Sequence, residues 1–185
     1  AYAEFLKPKT VAVGRDVRHS SDALFTALSS GLTDSGTDVL DLGICGTEQV
    51  YFAAFHLSLD GGIMITASHN PVDYNGLKFV REDAKPLSGD SGLQDIRRLA
   101  EQNRFSEPSA NGRILPTDLR QQYIQHLLGY VKSPADLKPF KVVVNSGNGV
   151  AGPVVDLLEA HLPLQFIKLQ HEPDGSFPNG VPNPL

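Results

Sequence analysis

Short apolar runs alternate with helix-like runs along most of this chain, and that alternation constrains its fold more than any other feature. Six runs have the length and apolar content of β-strands: residues 10–13, 39–42, 62–66, 77–80, 141–144 and 164–169. Helical patterns lie between them, at residues 47–59, 93–103, 118–130 and 154–160 and in a helix that begins at Ser21 and Asp22 and stops at Gly36. Strands that alternate with helices are typical of α/β proteins.

Two of these helices have predicted core faces. In the first, Leu24, Ala27, Leu28 and Leu32 share one side at helical spacing. In the helix at 47–59, the side chains expected to lie mostly inside are Val50, Phe52, Ala53, Ala54 and Phe55. The segment 106–117 is polar and is predicted to be a loop between two later helices.

The chain is predicted to hold one domain and the beginning of another. Residues 132–139 carry two prolines and form the predicted linker, which places a first domain at 1–131 and an incomplete second domain at 140–185. The second region holds one strand–helix–strand unit and ends on a stretch rich in Pro and Gly, at 173–185. A domain rarely ends on such a stretch, and residue 1 is Ala, so we expect this sequence to be a piece of a longer protein.

Composition excludes several classes of partner and location. The net charge is −5 and no run of Lys or Arg occurs, which argues against nucleic acid as a partner. No apolar stretch approaches the roughly 20 residues that a membrane span needs, so we expect no membrane association and a cytoplasmic location. The single cysteine, Cys45, cannot form an internal disulfide and is predicted to be a small buried apolar residue.

The densest polar cluster follows the apolar strand at 62–66. Ser68 lies beside His69 in the loop, and Lys78 returns on the next strand. A serine nucleophile needs a group that handles its proton and cations that stabilise a developing anion, so these residue types suit nucleophilic chemistry. A hydrophilic turn is the alternative, since Ser, His and Asn are common in turns. A serine hydrolase is less well supported, because the sequence has no G-x-S-x-G motif.

The run TASHNP, followed by DYNG and Lys78, resembles the phosphoserine loop of the α-D-phosphohexomutase superfamily, in its phosphomannomutase/phosphoglucomutase branch. The longer run DGGIMITASHNPVDYNGLKFVRE is similar to bacterial members of that branch. GRDVR before it, and NSGNGVAGPVVD and PDGSFPNGVPNPL after it, extend the resemblance over nearly the whole chain. The resemblance implies a mixed sheet flanked by helices, followed by the start of a second similar α/β domain.

The resemblance also implies roles for four residues. Ser68 would carry a phosphoryl group, give it to the substrate and take another from a bisphosphorylated sugar that reorients in the site. His69 matches a residue that handles protons or positions substrate, and Lys78 matches the active-site lysine. Arg18 matches a cation near the phosphoserine, and its structural alternative is a surface ion pair with Asp16 or Asp22. We expect residues 66–78 to form an exposed loop between adjacent strands, because a phosphoryl group must enter and leave.

The implied reaction interconverts mannose 6-phosphate and mannose 1-phosphate, with glucose phosphates as the nearest alternative substrates. Hexose phosphates are the implied partners, and a bisphosphorylated hexose is the implied activator. Mg²⁺ is the implied cofactor, bound in part by the phosphate on Ser68. Several family motifs do not occur here: Y-D-I-R-G, the metal loop D-G-D-x-D-R, the sugar-specificity loop and the C-terminal phosphate-binding loop. The resemblance therefore implies that the first domain, at 1–131, lacks its first segment. The 185-residue chain alone is therefore expected to be inactive.

A glycine pattern offers a function of a different class. Residues 147–152 read GNGVAG, which fits G-x-G-x-x-G between a strand and a helix, and Glu172 follows at the distance of a ribose-binding acid. The pattern alone would indicate a non-catalytic module that binds a nucleotide or a sugar phosphate. We interpret it as a tight strand-to-helix turn that needs small residues, since the bare pattern is weakly specific.

Overall fold

The computed structural model describes residues 1–108, 110–133, 137–180 and 183. Its helices are α1 (Tyr2–Leu6), α2 (Ser21–Thr33), α3 (Thr47–His56), α4 (Leu93–Gln102), α5 (Arg120–Leu128) and α6 (Ala151–Glu159). Its strands are β1 (Thr10–Arg15), β2 (Asp38–Ile44), β3 (Gly61–Ile65), β4 (Leu77–Arg81), β5 (Ile114–Pro116), β6 (Lys141–Asn145) and β7 (Gln165–Leu169). Short 3₁₀ turns lie at Glu82–Ala84 and Gly89–Ser91.

Five strands form one mixed sheet in the order β4–β3–β1–β2–β5. Strand β1 pairs in parallel with β2 and β3, and β5 pairs in parallel with β2. Strand β4 is antiparallel to β3, so a loop joins these two neighbours directly, whereas parallel neighbours need crossover connections. The carboxyl ends of β1, β2, β3 and β5 therefore meet at one edge of the sheet.

Helices cover both faces of this sheet, because the central strands are apolar on both sides. One face packs against α1, α2 and α4, and its core contains Tyr2, Val11, Val13, Leu32, Val39, Ile63, Ile65 and Ile96. The other face packs against α3, where Cys45, Val50 and Met64 form a smaller cluster. The predicted α/β class, with a mixed sheet flanked by helices, is confirmed.

The predicted core faces of two helices need correction. In α2, Leu24 and Ala27 are exposed, and the inward side is made by Ser21, Phe25, Leu28, Ser29 and Leu32. The small buried serines let this helix lie close to the sheet, and apolar content alone does not reveal such a face. In α3, four of the five predicted residues are buried, whereas Phe55 is 64% exposed.

The polar segment 106–117 is not wholly a loop. Its last part contains β5, which adds a fifth strand at the edge of the sheet beside β2. The strand has only three residues, too few for a period of two to be visible in the sequence. Ser109 of this segment and residues 134–136 of the predicted linker lie outside the described residues.

Strands β6 and β7 form a separate two-stranded parallel sheet, connected through α6. This is the strand–helix–strand unit that the pattern predicts. Helix α6 contacts α5, so the unit packs beside the first sheet and its helices. None of the helices in the described part of the chain has the length and apolar content needed to cross a membrane.

Candidate active site

The candidate site lies at the edge of the sheet where the parallel strands end, the usual position of ligand sites in α/β folds. Strand β1 leads into Asp16, Val17 and Arg18, and β3 leads into the loop that carries Ser68. The two strands are neighbours, and the amide of Asp16 donates to the carbonyl of Ile65 at 3.0 Å. The fold therefore brings together two segments that are about 50 residues apart in the sequence.

The Ser68 loop has a defined local structure. Ser68 has φ 54°, in the left-handed region that a residue with a side chain rarely adopts. Its amide donates to Oγ1 of Thr66 at 2.9 Å, which holds this conformation, and its Oγ lies 3.1 Å from Nδ1 of His69. Non-glycine residues in such backbone conformations cluster at functional sites, where the surrounding structure holds them.

Solvent reaches this loop. Ser68 is half-buried, and residues 69–74 are exposed. The loop joins β3 to its antiparallel neighbour β4, so the predicted connection between adjacent strands is present. Its predicted bounds of 66–78 need correction, because Thr66 and Ala67 are buried and β4 already begins at Leu77. Lys78 lies opposite Met64 in this pair and is exposed, so it returns to the same hairpin as Ser68.

Arg18 lies beneath the loop and is only 3% exposed. Its Nη1 donates to the carbonyls of Pro71 at 2.6 Å and Tyr74 at 3.0 Å. Its Nη2 donates to the carbonyls of Ser68 at 2.9 Å and Asn70 at 2.8 Å. All four N–H groups of the two terminal nitrogens are thus used by the backbone of the loop. Of the two predicted partners of Arg18, Asp16 forms the ion pair, with its Oδ2 3.2 Å from Nε. The prediction that this pair lies on the surface is wrong, because the Arg18 side chain is buried.

A second set of contacts ties the far end of the loop to α2. Nδ2 of Asn75 donates to the hydroxyls of Ser20 and Ser21, each at 2.9 Å, and Ser21 Oγ donates to Asp16 Oδ1 at 2.6 Å. Neither Asn75 nor Gly76 has a positive φ. At Gly76 the chain passes close to the carbonyl of Thr66, and a Cβ would make a tight contact of 3.2 Å with that oxygen. The only sequence signal for these contacts is that polar residues occur both at the start of α2 and at the end of the loop.

Comparison with known proteins identifies the source of this arrangement. Residues 1–107 match the family model described as phosphoglucomutase/phosphomannomutase, alpha/beta/alpha domain I, and residues 121–185 match domain II of the same family. The chain belongs to the phosphoglucomutase/phosphomannomutase family. The resemblance inferred from the serine loop is thereby confirmed.

Relatives in this family are similar over the entire chain. It is 56% identical to a phosphomannomutase of Escherichia coli, 52% identical to a phosphomannomutase of Vibrio cholerae and 54% identical to a protein of Xanthomonas campestris named phosphohexose mutases. The alignments cover 100% of the chain but only 41–42% of these relatives. A crystal structure of a phosphoglucomutase/phosphomannomutase family protein from Burkholderia thailandensis matches with a TM-score of 0.83 and 36% identity, over 94% of this chain and 38% of that one.

The glycine pattern at 147–152 lies within the region matched by domain II of the family. Gly147 and Asn148 both have positive φ, and a Cβ at Gly152 would collide with the carbonyl oxygen of His171. The main chain of Asn148 accepts from the amide of Asp174, and its Nδ2 donates to the carbonyl of Glu172. These contacts support the interpretation as a tight turn that holds the chain after β7, rather than a cradle for a dinucleotide.

A further cleft among the described residues does not contain the predicted site residues. It has a volume of about 570 Å³ and lies at the ends of β2 and β5, beside Asp41, Cys45 and Gln49. Two of its polar side chains already have partners within the chain: Asp41 accepts from Arg15, and Gln49 accepts from the amide of Gly46. Burial raises the pKa of the Cys45 thiol to about 12, so this cysteine is not a nucleophile at neutral pH.

Proposed function

We propose that this chain is the N-terminal part of a phosphomannomutase, which interconverts mannose 6-phosphate and mannose 1-phosphate through phosphorylated Ser68. Glucose phosphates are the nearest alternative substrates. In the first half-reaction a sugar hydroxyl oxygen attacks phosphorus, the bond to Ser68 Oγ breaks, and a bisphosphorylated hexose forms. In the second, after the sugar reorients, Ser68 Oγ takes the other phosphoryl group. The same bisphosphorylated hexose serves as activator, because it primes an unphosphorylated Ser68.

One observation carries this proposal: a half-buried serine hydroxyl, 3.1 Å from an imidazole nitrogen, sits on a braced loop in a chain of this family. Phosphoryl transfer asks a protein mainly for positioning and for positive charge around the phosphate oxygens. His69 is suited to handle the proton that Ser68 Oγ gains and loses. Lys78 supplies positive charge from β4, and Arg18 acts through the loop that it holds, as a positioning residue.

Mg²⁺ enters this proposal through Ser68 alone. A phosphate oxygen on Ser68 would be one ligand, and an isolated monodentate ligand binds Mg²⁺ weakly. Among the described residues, no three or more His, Cys, Asp or Glu side chains lie together as a metal site. We propose that the remaining ligands belong to the metal loop D-G-D-x-D-R, which does not occur in this sequence. When bound, the ion would neutralise charge on the phosphate.

The wider setting is part of the same proposal. We propose a first domain at 1–131, a linker at 132–139 and the beginning of a second domain at 140–185. Small-molecule hexose phosphates, rather than nucleic acid or membrane, are the proposed partners, in the cytoplasm. The 185-residue chain by itself is expected to show no mutase turnover, because the metal loop D-G-D-x-D-R does not occur in it.

The test is performed on the full-length protein with mannose 6-phosphate, Mg²⁺ and a hexose bisphosphate. Ser68→Ala should lose more than about a hundredfold in turnover and keep most of its substrate affinity, because the sugar and its distal phosphate supply the binding energy. Thr66→Ser keeps the hydroxyl that accepts from Ser68 and should retain activity. Ser88→Ala is the matched control, since Ser88 is an exposed serine of the same domain. Phosphate on Thr66 or Ser88 by mass spectrometry, or normal turnover by Ser68→Ala, would contradict the proposal.

A further inference from the structure

The chain after β7 packs against the buried arginine that holds the Ser68 loop. The ring centroid of Phe177 lies 5.4 Å from Cζ of Arg18, and Phe177 is only 8% exposed. Gly175 is buried against the main chain of Val17 and Arg18, and a Cβ there would collide with the carbonyl oxygen of Val17. Residues of the second α/β unit therefore cover the side of Arg18 that the loop does not.

This covering segment, residues 172–179, is held by one residue of the glycine turn. Asn148 is 8% exposed and has φ 57°. Its carbonyl accepts from the amide of Asp174 at 2.8 Å, its Nδ2 donates to the carbonyl of Glu172 at 3.0 Å, and its Oδ1 accepts from Nδ2 of Asn179 at 2.9 Å. Contacts thus run without a break from Asn148, through the segment, to Phe177 and Arg18.

Phe177 itself is placed by bonds within the segment. Its amide donates to the carbonyl of Asp174 at 3.1 Å, and it has φ 48°. Oδ1 of Asp174 accepts from both the amide and the hydroxyl of Ser176. A phenylalanine with left-handed backbone angles is strained and keeps them only where its surroundings hold it. The contacts within the segment therefore fix the position of the Phe177 ring beside Arg18.

We propose that Phe177 is a positioning residue for the phosphoryl carrier, and that the second α/β unit thereby sets the position of Ser68. A guanidinium covered by an aromatic ring is shielded from water, so its N–H groups stay on the four loop carbonyls. One of those carbonyls belongs to Ser68 itself. Without the ring, water competes for the guanidinium and the loop loosens. The effect on catalysis rests on the proposed function; the effect on the loop does not.

The experiment compares Phe177→Ala with Phe166→Ala in the full-length protein. Phe166 is a half-buried phenylalanine of β7 in the same unit, so its variant controls for a general loss of packing. Phe177→Ala should lower kcat, and the rate at which a hexose bisphosphate phosphorylates Ser68, by about tenfold to a hundredfold, since small misplacements of reacting groups have effects of that size. KM for mannose 6-phosphate should change less than about twofold. Phe177→Tyr, which keeps the ring, should restore the rate.

Hydrogen exchange gives a readout that does not depend on mutase activity. The amides of Asn70 and Tyr74 are bonded within the loop, and both should exchange faster in Phe177→Ala but not in Phe166→Ala. If Phe177→Ala does not fold, Asn179→Ala removes one exposed anchor of the segment and should accelerate the same amides by a smaller factor. Wild-type exchange in whichever of these variants folds would overturn the inference. If the wild-type protein takes no phosphate on Ser68, the proposed function is refuted. Faster exchange in Phe177→Ala would then still support the effect of Phe177 on the loop.

Discussion

Replacing Arg18 with lysine should destabilise the protein far more than the conservation of charge suggests. Arg18 places four N–H groups on four carbonyls of residues 68–74, whereas lysine has three donors on a single nitrogen. If the ammonium keeps two of these bonds, two charge-assisted hydrogen bonds are lost, each with a net value of about 1.5 kcal/mol. The expected loss is therefore about 3 kcal/mol in the free energy of unfolding. For a chain of this size, that lowers Tm by roughly 6–12 °C.

Urea denaturation followed by circular dichroism measures this loss, with Arg97→Lys as the control. Arg97 pairs with Glu101 on the surface of α4, where its side chain is 72% exposed, so its replacement should change stability by less than about 0.5 kcal/mol. The loss for Arg18→Lys should come with faster amide exchange at Asn70 and Tyr74. A change as small as that of the control would show that the bonds to the loop contribute nothing net to stability.

Further predictions concern Lys78, Cys45 and two glycines. Lys78→Ala should leave Ser68 phosphorylatable but lower steady-state turnover about a hundredfold, because a lost cation removes about 3 kcal/mol of transition-state stabilisation; unchanged turnover would contradict this. Burial raises the pKa of Cys45 from 9.0 to about 12, so the neutral thiol stabilises the folded state below pH 9 and this contribution is lost as the pH rises toward 12. In urea titrations across this pH range, the free energy of unfolding should therefore decline less steeply in Cys45→Ala than in the wild type. Gly152→Ala should lower the free energy of unfolding by about 1–3 kcal/mol, because the added Cβ collides with the His171 carbonyl. Gly31 lies in α2 with no atom near an added Cβ, so Gly31→Ala should raise that free energy by up to about 1 kcal/mol. Thermal unfolding measures both changes as shifts in Tm.

The order of elements could be predicted from the sequence because β1 and β3, in the middle of the sheet, are apolar over most of their length. Strand β3 is buried at all five positions and β1 at its four central ones, so the apolar runs are unmistakable. The edge strand β5 was missed because one of its three residues is half-buried and the others are exposed. The apolar pattern of a strand arises because its side chains are buried. An edge strand such as β5 buries few side chains, so its sequence shows little of that pattern.

Helix faces were less predictable than helix positions. Phe55 was expected inside because it is apolar, yet it lies on the side of α3 away from Val50 and Met64. In α2, Ser29 is fully buried and Leu24 is exposed, the reverse of the order that hydrophobicity predicts. Large apolar residues are often exposed in folded proteins, so a single residue type does not determine a face.

In the candidate site, too, the sequence identifies the functional residue types better than it predicts the direction of their side chains. Ser68 and His69 are adjacent in sequence, so their hydroxyl–imidazole contact is local, and the motif predicts it well. Arg18 is about 50 residues away, and its direction depends on the pairing of β1 with β3. A guanidinium at that edge can face a phosphate or the backbone below it. Because its terminal N–H groups are bonded to loop carbonyls, the proposed phosphate on Ser68 needs positive charge from other groups. We propose Lys78, which is exposed on β4 opposite Met64, as one such group.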